Sequence, residues 1–198
     1  MQKKEVLLLL TDHWADWEAA YAITGISMSE DYEVKTIAVD KEPKVSIGGL
    51  RTEIDYTIAE YQNFDRLAMV ILTGGFTWTE TPYDNIAAFV SKAHQAGIPI
   101  AAICGATIFL AKYGFLNNVK HTGDDAEYFN DMLEDEDTYG GHAHFVVAQA
   151  VNDGGFITAN ETAALEFARE ICRVLKTAPD DEIDEWYEKY KNGLEADM

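Results

Sequence analysis

The amino-acid sequence predicts an α/β protein in which a mostly parallel sheet is covered by helices on both faces. Two observations carry this expectation. Short apolar runs alternate with longer stretches of helical period, as strands buried on both faces and linked by helices require. The chain of 198 residues, 47% hydrophobic and 25% charged, is enough for one well-filled core and too short for two ordinary domains and a linker.

The elements follow in order. The opening MQKKEVLLLLTD predicts a first strand at Glu5–Leu10, because its apolar run is too short for a signal sequence or a membrane span and ends in polar residues. A helix is expected over Trp17–Met28 and a strand over Glu33–Val39. The stretch Val45–Ile54, broken by Gly48 and Gly49, reads as a hairpin or short excursion. Leu67–Leu72 is the next strand. Pro82 suits a first helical turn and Gly97 a helix end, so a helix is placed over Pro82–Ala96. The strand Ile98–Ile103 then runs straight into a helix over Gly105–Tyr113, and a further helix is expected over Asp124–Leu133. Strands at His144–Ala148 and Phe156–Thr158 come next. Asn160 and Thr162 offer capping oxygens ahead of a helix over Thr162–Leu175. Residues 1–177 form the expected domain. Residues 178–198 are acidic, with Trp186, Tyr187 and Tyr190 at helical spacing, and read as a terminal helix packed on the body or a partly frayed appendage.

Charge narrows the function classes. Thirty-five acidic residues against 15 basic ones leave a net charge of −20, a field that repels phosphate backbones and anionic membrane surfaces. Neither nucleic acid nor membrane is expected as a partner. The two cysteines, Cys104 and Cys172, sit in segments of different character, which argues against a disulfide and for a reducing, cytoplasmic location.

Chemistry concentrates at three places. The segment PIAAICGATIFLA carries a buried strand into a helix with Cys104 at the junction, flanked by small residues. A tight strand-turn-helix needs such neighbours and presents its nucleophile at the carboxyl end of the sheet. A helix N-terminus also favours a thiolate, so a lowered thiol pKa is expected. The plainer alternative is a free cysteine serving as a small core residue. The second place is TGGFTW, where the amides of Gly74 and Gly75, with that of Gly105, would form an oxyanion donor set, or simply an ordinary loop. The third is DWEAAY, in which Glu18 would face inward and tune the thiol, or else lie on the solvent side of the helix.

Together these segments resemble the ThiJ/PfpI superfamily, the group of the parkinsonism-associated deglycase and the PfpI-type intracellular proteases, related to class I glutamine amidotransferases. The resemblance spans most of the chain. It rests on LLLLTD followed by DWE, on LTGGFTW, on AAICGAT, on VKHTGDD and on FITANETAALEFAREI. It implies a flavodoxin-like three-layer sandwich, often dimeric, with Cys104 as nucleophile, Glu18 as its carboxyl partner and the amides of Gly75 and Gly105 as the oxyanion site. No cofactor is implied. Members are described as proteases, glyoxalases or deglycases, chaperones, isonitrile hydratases and redox sensors, so the resemblance names no substrate.

One departure concerns the base. Where many members have a histidine after the elbow, this chain aligns Asp124, and His121 lies three residues earlier, an odd offset that turns it to the other face of an extended segment. Without that histidine an efficient peptidase is not expected. His13, following the first strand near Glu18, and Trp78 are further accessory candidates. His142 and His144 share a face if extended, yet lack a third ligand of persuasive spacing, so no metal is assigned. His94 and Cys172 read as structural. The leading expectation is a cysteine-dependent hydrolase or lyase acting on a small molecule. The alternatives are a non-catalytic stress or redox-sensing protein, a small-molecule-binding module that kept the fold, or a glutamine amidotransferase-like protein.

Overall fold

A computed structural model describes residues 2–79, 83–133 and 138–193. The strands are β1 Lys4–Leu9, β2 Tyr32–Ala38, β3 Lys44–Val45, β4 Arg51–Thr52, β5 Tyr56–Thr57, β6 Leu67–Leu72, β7 Ile100–Ile103, β8 Ala150–Asp153 and β9 Phe156–Ala159. The α-helices are α1 Asp16–Met28, α2 Asp84–Gln95, α3 Gly105–Lys112, α4 Ala126–Asp131, α5 Ala164–Leu175 and α6 Asp180–Asn192. Seven strands form one sheet in the order β5-β2-β1-β6-β7-β9-β8, with β3 and β4 as a separate hairpin. All neighbours in the large sheet are parallel except β8 and β9. The three-layer α/β sandwich expected from the sequence is the observed fold.

Side-chain alternation splits the core in two. Leu7, Leu9, Val70, Leu72 and Ala102 point to one face, where they meet Ile86 and Val90 of α2 and Phe109 of α3. Val6, Leu8, Met69, Ile71 and Ala101 point to the other, against Ile26 of α1 and Phe167 and Ile171 of α5. Both faces of each central strand are therefore buried, which explains its unbroken apolar run.

The chain differs from expectation at several boundaries. The strand expected at His144–Ala148 does not form. His142–His144 is a 3-10 turn, and the carbonyl of Ala148 is taken by the Thr122 hydroxyl at 3.0 Å and the Asn160 amide at 3.0 Å. Pairing starts instead at Ala150, where β8 and β9 form a hairpin over Gly154 and Gly155, both at positive φ, as a tight two-residue turn requires. The short edge strand β5 pairs with β2 and was not expected. Helix α2 begins at Asp84; Pro82, its expected start, lies outside the described residues. Helix α4 begins at Ala126 because Asp125, one residue after the expected start, caps it, accepting the amides of Glu127 and Tyr128. Helix α6 packs on α5 through buried Ile183, while the Tyr187 hydroxyl and Lys191 ammonium both reach Glu166. None of the described helices is long and apolar enough to cross a membrane.

Candidate active site at Cys104

Because β1, β6, β7 and β9 run parallel, their carboxyl ends converge on one edge of the sheet. The loops that follow them bring Glu18, Gly74, Gly75, Cys104, Gly105 and Glu161 to a crevice of about 660 Å³. Cys104 occupies the joint between β7 and α3 at φ 56° and ψ −135°, a conformation that L residues rarely adopt. Its amide donates to the Ala159 carbonyl at 3.0 Å, and its carbonyl accepts the amide and hydroxyl of Thr107. The neighbouring strand and the first turn of α3 thus hold the strained residue in place.

Glu18 comes from the inward face of α1, where Glu18, Ala19, Ala22 and Ile26 are buried. Its side chain is only 1% exposed and accepts the Gly74 amide at 2.7 Å. A side chain at Gly74 would place a Cβ 2.4 Å from the Glu18 carboxyl and 2.6 Å from the Cys104 Cβ, so glycine is dictated by crowding there. Gly75 adopts φ 149°, and a Cβ on it would come within 2.5 Å of the His13 carbonyl. The Gly74 amide, one of the expected oxyanion donors, is engaged by Glu18, and the Gly105 amide is directed at the Cys104 sulfur.

Asp124 enters from the segment before α4. Its carboxyl accepts the Glu161 amide at 2.8 Å and lies within hydrogen-bonding reach of the Cys104 thiol, as does that of Glu18. Burial raises the Glu18 carboxyl to about 7, against the bonds from Gly74 and Cys104, with Asp124 and Glu161 adding to the rise. Burial likewise pushes Asp124 up. The thiol is pushed up as well, by burial first and then by the negative charges of Glu18 and Asp124, while the Gly105 amide pulls it down. This reverses the lowered thiol expected from the helix N-terminus: two carboxyl groups and desolvation outweigh a short helix. The Cys104 sulfur and one oxygen each of Asp124 and Glu161 lie within 4.8 Å of one another, close enough for a metal ion to bridge. Two like unit charges at that separation repel by roughly 3 kcal/mol at the dielectric of a protein surface.

The remaining sequence candidates are distributed differently. His13, exposed and at φ 55°, is held by its amide to the Val45 carbonyl and does not line the crevice. His121 is fully buried, with Nδ1 against the Val119 carbonyl and Nε2 against the Tyr139 hydroxyl, both at 2.8 Å. Trp78 is packed on Phe109 and donates its indole N–H to the Thr73 carbonyl at 2.7 Å. Residues not assigned to the site from the sequence complete the walls: Glu161, Phe76, Tyr128 and Ile47, with Thr162, read as a helix cap, and Trp17, which the sequence left between pocket and core. Ile47 arrives on the β3–β4 hairpin, which is anchored by the Ile47 amide to the Trp14 carbonyl and the Gly48 amide to Asp16. Glu161 carried a signal, since it sits beside the capping residues at the end of β9; the ring positions carried none, because exposure is a property of the folded surface.

Comparison with known proteins finds relatives in sequence and in fold. The sequence model of the DJ-1/PfpI family matches residues 4–174. The chain is 43% identical over 176 residues to the "Uncharacterized protease YdeA" of Bacillus subtilis strain 168, covering 87% of this chain and 83% of that protein. It is 34% identical over 198 residues to the "Uncharacterized protease YoaZ" of the same organism, covering 96% and 92%. Among solved structures it is similar to the thiJ/pfpI family protein from Bacillus anthracis, with a TM-score of 0.88 and 31% identity over 98% of this chain and 93% of that one.

Proposed function

The chain belongs to the DJ-1/PfpI family, and from that premise we propose that it is a cysteine-dependent hydrolase or lyase acting on a small molecule, with Cys104 as nucleophile. The observation that carries the reading is the strained joint at Cys104, which opens on a crevice and has two carboxyl groups, those of Glu18 and Asp124, within reach of its sulfur. Strain at a non-glycine residue persists where the surroundings enforce it, and such residues cluster at reactive sites.

In this reading Asp124 takes the place of the absent histidine. Raised by burial, it is a stronger base than an ordinary carboxylate and accepts the thiol proton. The sulfur then adds to an electrophilic carbon, a C–S bond forms, and the electron pair of the carbonyl moves to its oxygen. The amides of Gly75 and Gly105 are the donors assigned to that oxygen. Glu18, with a carboxyl raised to about 7 by burial, donates to the thiolate when it carries its proton. In the hydrolase branch the leaving group departs with the proton held by Asp124, and water cleaves the C–S adduct.

The relatives' name of protease suggests peptides as one substrate class. The lack of a histidine lining the crevice among the described residues favours smaller, more electrophilic substrates instead. A panel of amides, aldehydes and isonitriles assayed with wild type and Cys104→Ala tests the reading. Turnover of a panel member that Cys104→Ala abolishes supports it, and equal turnover by the variant rejects it. We also expect a homodimer, checked by light scattering.

The Glu18 carboxyl beside the sulfur favours a second reading, reversible oxidation of Cys104 by peroxide, in which that carboxyl donates to the added oxygen. Mass spectrometry after peroxide treatment distinguishes the outcomes. Oxygen on Cys104 ahead of Cys172 and the methionines supports a sensor, and the opposite order removes it.

A further inference from the structure

We propose that the substrate of this site carries a positive charge, a protonated amine or a guanidinium, held between the carboxyl groups and the open aromatic rings at the mouth of the crevice. The inference deepens the reading of Cys104 as a nucleophile and rests on it.

The first support is unbalanced charge. Glu18 lies at the floor, and Asp124, Asp125 and Glu161 line the same crevice. No lysine, arginine or histidine among the described residues lines it. The ion pairs between described residues all lie elsewhere. The charges acting on Cys104, Glu18 and Asp124 come from one another and from Glu161, all of one sign. Glu18 is buried and Asp124 half-buried, while Asp125 and Glu161 are exposed at the mouth; carboxyl groups taken out of water so close to one another call for a cation, and a ligand is the simplest source of one.

The second support is independent of charge. Trp17, Phe76 and Tyr128 line the crevice and leave 51%, 66% and 47% of their surfaces open. Rings beside carboxylates make a cation-binding wall, because the face of an aromatic ring attracts positive charge and excludes the water that would screen it. An anion would be repelled here, and a neutral ligand would leave the carboxyl groups as they are.

The third support is chemical. Thiolate formation at Cys104 is opposed by Glu18 and Asp124. A bound cation offsets that opposition, so the nucleophile becomes available when the correct substrate arrives. Charge selection and activation are then one event.

The test uses three methanethiosulfonate reagents: a trimethylammonium cation and a sulfonate anion of similar size, and a smaller neutral methyl compound. In each, the thiolate attacks sulfur, a disulfide forms and methanesulfinate leaves. Rates at Cys104 are followed on wild-type protein by peptide mass spectrometry, which separates Cys104 from Cys172, in EDTA and high salt to screen the distant surface. The cation-to-anion rate ratio, divided by that of a small free thiol, is expected to exceed about 30. Asp125→Asn combined with Glu161→Gln is expected to lower it by at least about threefold, Glu18 and Asp124 supplying the remainder, whereas neutralising Asp180, Asp181 and Glu182 on α6 leaves it unchanged. A ratio equal to that of the free thiol, or one insensitive to Asp125 and Glu161, overturns the inference while the nucleophile reading stands, provided the neutral reagent reacts. Failure of all three reagents at Cys104 overturns both.

Discussion

At the scale of single residues, Cys104 and Glu18 make separable predictions about stability. Cys104 holds φ 56° and ψ −135°, where a β-carbon costs on the order of 1–3 kcal/mol and glycine costs little. Cys104→Gly is therefore expected to be more stable than Cys104→Ala by about 1 kcal/mol in urea denaturation, after allowing for the greater unfolded entropy of glycine. Glu18 gives a pH dependence whose sign is fixed by its raised carboxyl. Between the unfolded value of 4.5 and the folded value of about 7 the native state holds a proton that the unfolded chain has lost. Stability present below pH 4.5 is therefore lost as pH rises through 7, by up to about 3 kcal/mol. Glu18→Gln is expected to match wild type near pH 4.5 and to exceed it at pH 8, with a smaller slope left by Asp124, which burial also raises. Denaturation midpoints at the two pH values decide it. Of these residues, Cys104 was legible in the sequence because short-range pattern places it at the end of β7, and Glu18 because it stands in the first turn of the helix that follows the first strand. The upward shift of the thiol was not, because it depends first on burial in the folded protein and then on two carboxyl groups brought from α1 and from the segment before α4.

At the scale of elements, legibility followed burial. The runs at β1, β6 and β7 announce themselves because both faces of each strand are covered, so no polar alternation obscures them. The strand mistaken for residues 144–148 failed for a different reason. The β8–β9 hairpin is signalled by Asp153-Gly154-Gly155, a turn pattern stronger than the histidine-rich apolar run preceding it. Helix α6 illustrates a weaker signal: its aromatic spacing allowed either docking or fraying, and packing decided. Buried Ile183 sits against α5, and Trp186 and Tyr190 meet Tyr21 of α1 edge-on at 6.1 and 5.7 Å. Ile183→Ala is expected to cost about 2–3 kcal/mol in a two-state unfolding measurement. The same substitution should leave the methanethiosulfonate rates at Cys104 unchanged, since α6 contributes no residue to the crevice.

At the scale of the whole molecule, a net charge of −20 on 198 residues makes the native state repel itself. Raising sodium chloride from low to near-molar concentration is expected to increase the melting temperature by several degrees, followed by calorimetry, because exposed charges are screened within about 3 Å at 1 M. A melting temperature that falls or stays level would mean that the surface carboxylates are already balanced by local pairs such as Lys44 with Asp12 and Asp40. The crevice also joins parts of different origin. The reactive sulfur is held by a strand and a helix, whereas Ile47 is delivered by a two-stranded hairpin outside the main sheet, fastened to His13, Trp14 and Asp16 by a few hydrogen bonds. Natural variation and laboratory evolution can therefore rewrite that wall without relearning the reaction, much as a tool keeps its handle when the bit is exchanged.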